Sequence, residues 1–170
     1  VQPVRAVHVT SYGWADASIR RGVLNLVDEN KINAIELDLK DESGLVGWDA
    51  AVPYGRRIGA VEDVYDLRRA VDDLHAKGVR VIGRLVCFRD PVHAQAAWRA
   101  GRRDEVIQTP DGQAYSGYGG FTNFANPKVR QNLALVHLQQ DDLAAAERLA
   151  RESIAALADS DAFGGAGGQL

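Results

Sequence analysis

The chain has 170 residues, 46% of them hydrophobic and 25% charged, a composition that is typical of a globular domain and excludes collagen-like, coiled-coil and disordered chains. Its 20 basic and 23 acidic side chains give a net charge of −3, which is too balanced for a nucleic-acid interface or a basic membrane-binding surface. The single cysteine, Cys87, excludes an internal disulfide, and no apolar run is long enough to span a membrane. The sequence contains no methionine, which we interpret as a sign of a processed or partial chain.

The first predicted elements are a strand and a helix. Residues 4–10, VRAVHVT, are rich in β-branched side chains and predict a strand, which is followed by a loop at residues 11–14. A helix is then predicted to about Glu29, because apolar residues recur at helical spacing. Asp16 or Ser18 is expected to cap it.

The same alternation continues through the middle of the sequence. Residues 34–40, AIELDLK, predict a second strand, and a long loop is expected from there to about Val61. Residues 62–77 have an apolar stripe at helical spacing and stop before Gly78. The apolar run at 79–88, VRVIGRLVCF, predicts a third strand. The order βαβαβ predicts parallel strands joined by helices, and hence the α/β class.

Less regular sequence follows the third strand. A short helix is predicted from the Asp90–Pro91 step to about Trp98, and a turn at residues 109–112. The loop at residues 112–126 is rich in glycine and carries four aromatic side chains, a composition that is typical of the rim of a site: Tyr115, Tyr118, Phe121 and Phe124. Residues 128–158 predict a helix, and a flexible glycine-rich tail follows.

The second strand favours a barrel over an open sheet. Its odd-numbered residues are apolar and its even-numbered residues are charged: Ile35, Leu37 and Leu39 against Glu36, Asp38 and Lys40. In a doubly wound sheet helices cover both faces, so three charges on one face are unfavourable, whereas the interior of a barrel opens to a site at its top. We therefore expect a parallel (β/α) barrel architecture.

The carboxyl ends of parallel strands are where such folds place function. There we expect a cluster of His8, Asp38, Lys40 and Arg84. Asp38 and Arg84 are equally consistent with a buried ion pair of purely structural value, and His8 with a core histidine whose hydrogen bonds are satisfied.

Three acidic residues just beyond the strand ends are candidates for acid–base chemistry: Asp41, Glu42 and Asp90. Asp41 is equally consistent with a residue that shapes a turn, and Asp90 with a helix cap.

Aromatic residues in the predicted loops could stack on sugar rings, or could instead contact a protein partner or their own loops: Tyr12, Trp14, Trp48, Tyr54, Tyr115 and Tyr118. Sequence motifs for nucleotide binding, zinc proteases and serine hydrolases are absent. We therefore expect neither a cofactor nor a metal ion.

Four sequence runs together resemble the putative glycosyl hydrolase domain family of bacterial proteins, which is similar to the α-amylase-like barrels: VRAVHVTSYGW, INAIELDLKDESGLVGW, LHAKGVRVIGRLVCFRDPVHA and FTNFANPKVRQNL. The matching positions lie at two strand ends: Asp38, Lys40, Asp41, Gly44, Arg84, Phe88, Arg89, Asp90 and Pro91. The resemblance covers residues 4–133.

This resemblance implies part of a (β/α)₈ barrel that cleaves glycosidic bonds of a polysaccharide or oligosaccharide with a pair of carboxylates. We take Asp38 and Asp41 as the catalytic candidates. The candidate substrate-binding residues are Lys40, Arg84, His8, Tyr12, Trp14, Trp48 and Asp90. A carbohydrate partner makes a secreted or cell-envelope location the expected one.

The resemblance ends near Asn132. There the family continues into a further strand, whereas this chain has the helical sequence QNLALVHLQQDDLAAAERLARES. We therefore divide the chain into a barrel-like part at 1–131 and a helical, alanine-rich segment with a glycine-rich tail at 132–170, and expect the latter to replace the family's own continuation. A full barrel takes about 250 residues, so the chain is expected to form only part of one. Two alternatives remain open: a non-catalytic carbohydrate-binding or structural remnant, and an unrelated small α/β module with an acidic site.

Overall fold

The structure is a computed structural model that describes residues 3–137, with side chains described as far as residue 132. Three parallel strands form one sheet in the order β1-β2-β3: β1 at Ala6–Val9, β2 at Ala34–Lys40 and β3 at Arg80–Leu85. Two helices follow each strand: α1 at Ser11–Ala15 and α2 at Ala17–Asp28, α3 at Pro53–Ile58 and α4 at Leu67–Ala76, and α5 at Pro91–Arg99 and α6 at Pro127–His137. The predicted α/β class with parallel strands is confirmed.

The principal helices begin at acidic caps. Asp16 accepts hydrogen bonds from the backbone N–H groups at the start of α2, so the predicted cap is confirmed. Asp66 accepts from Arg69 N at 2.9 Å at the start of α4, and Gly78, with φ of 71°, follows the end of that helix. Each cap satisfies backbone donors that have no partner within the helix, and contributes about 1 kcal/mol to stability.

The core lies on one side of the sheet. The odd-numbered residues of β2 are buried there and pack with Val23 of α2 and Leu74 of α4. Each fully buried Leu or Ile side chain stabilises the fold by about 1.5–3 kcal/mol. Both connecting helices therefore cover the apolar face of β2, as the alternation of its residues predicts. The opposite face carries Glu36 and Asp38.

Four predicted element boundaries are wrong. The loop expected at residues 11–14 is the short helix α1, and the long loop expected before Val61 contains α3. The helix expected from residue 62 begins at Leu67, because Asp66 caps it and Tyr65 turns inward to the core. The third strand ends at Leu85, three residues before Phe88.

The region after β3 is held by short-range pairing. Helix α5 begins at the Asp90–Pro91 step, as predicted, and two 3₁₀ turns lie at Arg103–Glu105 and Gly117–Gly119. An isolated antiparallel bridge joins Arg89 to Phe121. This bridge brings the aromatic loop back against the carboxyl end of β3.

Helix α6 begins close to the predicted start of the last helix and runs across the expected division at residue 131. The remainder of the predicted helix and the tail lie outside the described residues. No helix within residues 3–137 is long and apolar enough to cross a membrane.

Candidate functional site

The site is built around Asp38, near the carboxyl end of the central strand. Asp38 has no exposed side-chain surface. The β2–β3 register shifts between Asp38 and Lys40, so the regular pairing of the two strands is interrupted at this point. Ser11 Oγ and Tyr65 Oη donate to this carbonyl oxygen at 3.2 and 3.0 Å. The two hydroxyls therefore hold the irregular strand end in place.

The Asp38 carboxylate is bound on one oxygen only. Oδ1 lies 2.8 Å from His8 Nε2 and accepts from Arg84 Nη1 at 2.7 Å. Oδ2 is buried and has no hydrogen-bond partner among the described residues. The expected cluster of His8, Asp38 and Arg84 is therefore present, and one oxygen of it is left unpaired.

Arg84 joins this carboxylate to a second one. Its Nη2 donates to Glu42, and its Nε lies 3.8 Å from Glu36 Oε1. The hydrogen bonds that Arg84 donates to Glu42 and Asp38 raise the pKa of Arg84, and the one to Glu42 lowers the pKa of that carboxyl below its usual range. A fixed cation thus holds two carboxylates at one strand edge.

Lys40 and Asp90 form a second, separate pair. Both side chains are buried; Lys40 Nζ lies 3.1 Å from Asp90 Oδ2 and donates to the Val86 carbonyl at 2.8 Å. Asp90 Oδ1 accepts from His93 N at 2.9 Å and so caps α5, the alternative that the sequence left open. Every carboxylate oxygen of this pair has a donor. The structure therefore places Lys40 away from the Asp38 carboxylate, although the expected cluster included it.

Asp41 shapes the turn that follows β2. Its Oδ1 accepts from Ser43 N, Ser43 Oγ and Leu45 N at 2.9, 2.9 and 3.1 Å. Gly44 follows with φ of 84°, and a Cβ there would collide with Asp90 Oδ1. The turn-forming alternative for Asp41 is thus observed, and its catalytic role stays a prediction.

Of the three aromatic residues predicted to bind substrate, one lies on the surface and two pack against the core. Tyr12 is 56% exposed and donates to Glu62 at 2.5 Å, a contact that raises the pKa of Tyr12. Trp14 is 6% exposed and packs in the main core from α1, so its expected place in an exposed loop is wrong. Trp48 is partly buried against the core. Of the three, Tyr12 presents the most ring surface to a ligand.

A sequence model of the family described as a putative glycosyl hydrolase domain matches residues 6–137, from β1 to the end of α6. The chain belongs to this family. The match includes the whole Asp38 cluster and the Lys40–Asp90 pair.

One solved structure resembles this member of the putative glycosyl hydrolase domain family: the crystal structure of a hypothetical protein from Ruminiclostridium thermocellum ATCC 27405. The TM-score is 0.69 at 24% sequence identity, and the alignment covers 77% of this chain and 67% of that chain. At this identity the likeness shows a shared fold. No curated protein matches the chain.

A closed polar cluster holds α5 of this family member to its surroundings. His93 Nε2 lies 3.0 Å from Glu105 Oε2, Arg102 Nε lies 3.0 Å from Glu105 Oε1, and Arg102 Nη2 donates to Tyr54 Oη at 2.9 Å. Burial raises the pKa of Tyr54, and the hydrogen bond that Arg102 donates to Glu105 raises the pKa of Arg102. Because the partners satisfy one another, the cluster is structural.

Two residues that contribute to the site of this family member, Ser11 and Tyr65, were not predicted, and the ion pair of a third, Glu42, was not predicted either. Ser11 and Tyr65 hold the Asp38 carbonyl, and Glu42, considered only as one acidic residue past a strand end, shares Arg84 with Asp38. No pattern marked Ser11 or Tyr65. The one available signal for a shared ion pair was that Glu36, Asp38 and Arg84 occupy alternate positions on the same face of neighbouring strands. Within the described chain, no group of three or more His, Cys, Asp or Glu side chains converges to hold a metal ion.

Cys87 lies just beyond β3 at the same edge. Its thiol is exposed, and its Sγ lies 3.6 Å from the Leu85 carbonyl oxygen.

Proposed function

We propose that this chain is a glycoside hydrolase-like domain that acts on an oligosaccharide or polysaccharide, with Asp38 as the central carboxylate. The observation that carries the proposal is the state of that carboxylate. It is buried, one oxygen is held by His8 and Arg84, and the other has no partner among the described residues. A buried acceptor without a donor costs about 1–3 kcal/mol, a cost that a ligand hydroxyl group can offset. Membership of the putative glycosyl hydrolase domain family supports a sugar as the source of that hydroxyl.

Hydrolysis of a glycosidic bond uses two carboxylates on opposite sides of the bond. Asp41, the second candidate from the sequence, commits Oδ1 to its turn. Glu42 is the stronger candidate, because it is partly exposed and is joined to Asp38 through Arg84. Its lowered pKa suits a base, a nucleophile or an electrostatic stabiliser, and does not suit a general acid.

Substrate contacts are proposed for the exposed members of the predicted set. Tyr12, His8 and Arg84 lie at the carboxyl edge with part of their surface in solvent, and Trp48 borders the same strand ends. Lys40 and Asp90 support this edge from beneath, because both are buried in their own ion pair. Trp14 is proposed as a core residue that anchors α1.

The three-stranded sheet is proposed to be part of a (β/α)₈ barrel of the α-amylase-like kind. Sequential strands lie side by side, and α2 and α4 pack on one face only, while the other face carries the charged residues. A doubly wound sheet, the alternative, covers both faces with helices. A sharp near-ultraviolet circular dichroism transition on heating would indicate a fold complete in itself and would contradict the barrel proposal.

The test is hydrolysis of soluble maltohexaose, cellohexaose, xylohexaose and chitohexaose by the full chain, followed by chromatography of the products. Asp38→Asn keeps the shape and removes the charge, and we expect it to lower the rate by about 100-fold or more. Glu42→Gln and Asp41→Asn compare the two candidates for the second carboxylate. Asp73→Asn is the matched control, because Asp73 is an exposed residue of α4 paired only with Arg69. Retained hydrolysis in Asp38→Asn, or neither binding nor cleavage of any glycan, contradicts the proposal.

A binding domain without turnover is the second candidate. The complete burial of the Asp38 side chain favours it, because a reacting carboxylate must contact the bond that is cleaved. Binding of a hexasaccharide without cleavage, with Asp38→Asn lowering stability and leaving affinity unchanged, would support this alternative.

A further inference from the structure

Tyr118 is an exposed aromatic residue in a strained backbone conformation. Its φ and ψ are 52° and 27°, in the left-handed region, where a bulky side chain is rare. Strain of this kind persists when the surroundings impose it, and it concentrates at ligand-binding sites. Tyr118 is nevertheless 72% exposed, so burial of its ring does not offset the strain. The loop thus displays the ring instead of packing it.

The ring is supported on one face. The guanidinium carbon of Arg89 lies 5.0 Å from the ring centroid, and Phe121 meets the ring edge-on, with centroids 6.4 Å apart. Both contacts fix the plane of the ring. With one face over the cation and one edge on Phe121, the opposite face is directed to solvent.

Arg89 connects this ring to the carboxylate edge. It lies four residues beyond the end of β3 and pairs with Phe121 in the antiparallel bridge. Its positive charge adds to the effect of Arg84 in lowering the pKa of Glu42. One donor of Arg89, Nε, is buried and has no acceptor among the described residues. The ring and the guanidinium therefore lie just beyond the carboxyl end of β3, the strand that carries Arg84.

We propose that Tyr118, held over Arg89, is a stacking platform for a pyranose ring of the oligosaccharide that binds at the carboxyl edge. The proposal rests on the proposed function and extends it to a binding position outside the Asp38 cluster. A pyranose ring presents a flat C–H face that packs on an aromatic face, and its hydroxyl edge can accept hydrogen bonds from a neighbouring guanidinium.

The surroundings favour a sugar over a protein partner. Protein hot spots lie within a ring of further contacts that exclude water. Tyr118 is instead flanked in sequence by Gly117, Gly119 and Gly120, which add no side chains around it. A single open ring bordered by glycines fits a ligand of the size of one sugar unit.

The test measures binding of the hexasaccharide panel to the full chain by isothermal titration calorimetry, with ring-current shifts of the sugar C–H protons recorded by NMR. We expect the wild type to bind at least one glycan with upfield shifts, and Tyr118→Ala to weaken binding by about tenfold and abolish the shifts. Tyr118→Phe keeps the ring and should retain both. Phe124→Ala is the matched control, because Phe124 is 61% exposed on the same loop but stacks edge-on to Phe88.

The outcomes separate the two proposals. If the wild type binds a glycan and Tyr118→Ala binds it equally well, the platform is overturned and the proposed function stands. Equal losses in Phe124→Ala and Tyr118→Ala would also overturn the assignment to Tyr118. If Tyr118→Ala lowers affinity only together with the midpoint of thermal unfolding, the residue is structural and the platform is overturned. No binding of any glycan by the wild type overturns both.

Discussion

Two buried charged groups on the same face of β2 differ in how completely they are paired. At Lys40 and Asp90, each carboxylate oxygen has a donor and the ammonium group has two acceptors. At Asp38, one oxygen carries both His8 and Arg84, and the other carries no partner among the described residues. A buried ion pair that is fully hydrogen-bonded contributes to structure alone, whereas an unpaired buried oxygen is tolerated where a ligand completes it. The Lys40–Asp90 pair therefore supports the site structurally, whereas Asp38 belongs to the proposed site itself.

The largest loss of stability is expected from breaking the buried ion pair of Lys40 and Asp90. Lys40→Met leaves the Asp90 charge buried without its cation, and we expect the free energy of unfolding in urea to fall by about 3–5 kcal/mol. Lys77→Met is the control, because Lys77 pairs with Asp28 on the surface and its loss should cost less than about 1 kcal/mol. Adding Asp90→Asn to Lys40→Met keeps the helix cap and should recover part of the loss. Equal losses of stability in Lys40→Met and Lys77→Met would show that the Lys40–Asp90 ion pair is not buried and fully hydrogen-bonded as described.

The next largest loss of stability is expected at Gly44, in the turn that packs against Asp90. Gly44→Ala places a Cβ against Asp90 Oδ1 and also strains a residue with φ of 84°, so we expect a loss of about 1–3 kcal/mol in the same urea experiment. Gly112→Ala is the matched control, because Gly112 has φ of 77° and open space around its Cβ position. The difference between the two variants measures the contact with Asp90. A difference of zero would contradict this packing.

A smaller loss of stability is expected when a hydroxyl group that holds Asp38 is removed. Tyr65→Phe removes the hydroxyl that donates to the Asp38 carbonyl, and we expect a loss of about 1 kcal/mol. The structural readout is the NMR shift of the Asp38 carbonyl carbon, which should move in Tyr65→Phe and in Ser11→Ala. A shift that moves in neither variant would show that the two hydroxyls do not hold the strand end.

The smallest effect is a pH dependence from Glu42. Arg84 lowers the pKa of Glu42 in the folded state below 4.5, so its stabilising contribution is fully present above pH 4.5. That contribution is lost as the pH falls through the lowered pKa. Because Glu42 is partly exposed, it amounts to less than about 1 kcal/mol. The difference in thermal midpoint between wild type and Glu42→Gln should therefore shrink on acidification, and a difference that grows would have the wrong sign.

The second strand was predictable because alternation alone specifies it. AIELDLK gave the bounds of β2, since its apolar and charged residues separate cleanly onto two faces. Helix α1 was missed because SYGWA is only five residues long and four of them have weak helix propensity; burial of Trp14 stabilises the helix instead. Helix α3 did carry a signal, with Pro53 at its start and Gly59 just past its end.

The charged residues of the site were predictable from the sequence, whereas several of their hydrogen-bond and ion-pair partners were not. Asp38 and Arg84 occupy facing positions of β2 and β3, so parallel pairing was enough to bring them together. Lys40 and Asp90 are far apart in sequence, and their contact depends on how the chain leaves β3. The roles of Ser11 and Tyr65 depend on the register shift after Asp38, which no residue pattern announces.

The lone thiol gives this domain a built-in reporter position. Cys87 is the single cysteine in the sequence and is exposed beside the strand ends that carry Arg84 and Arg89. A maleimide fluorophore would therefore attach at one defined place, with one dye per molecule and no engineered substitution. Changes in its emission would report the arrival of a ligand at the carboxyl edge directly in solution, independently of whether the ligand is then cleaved.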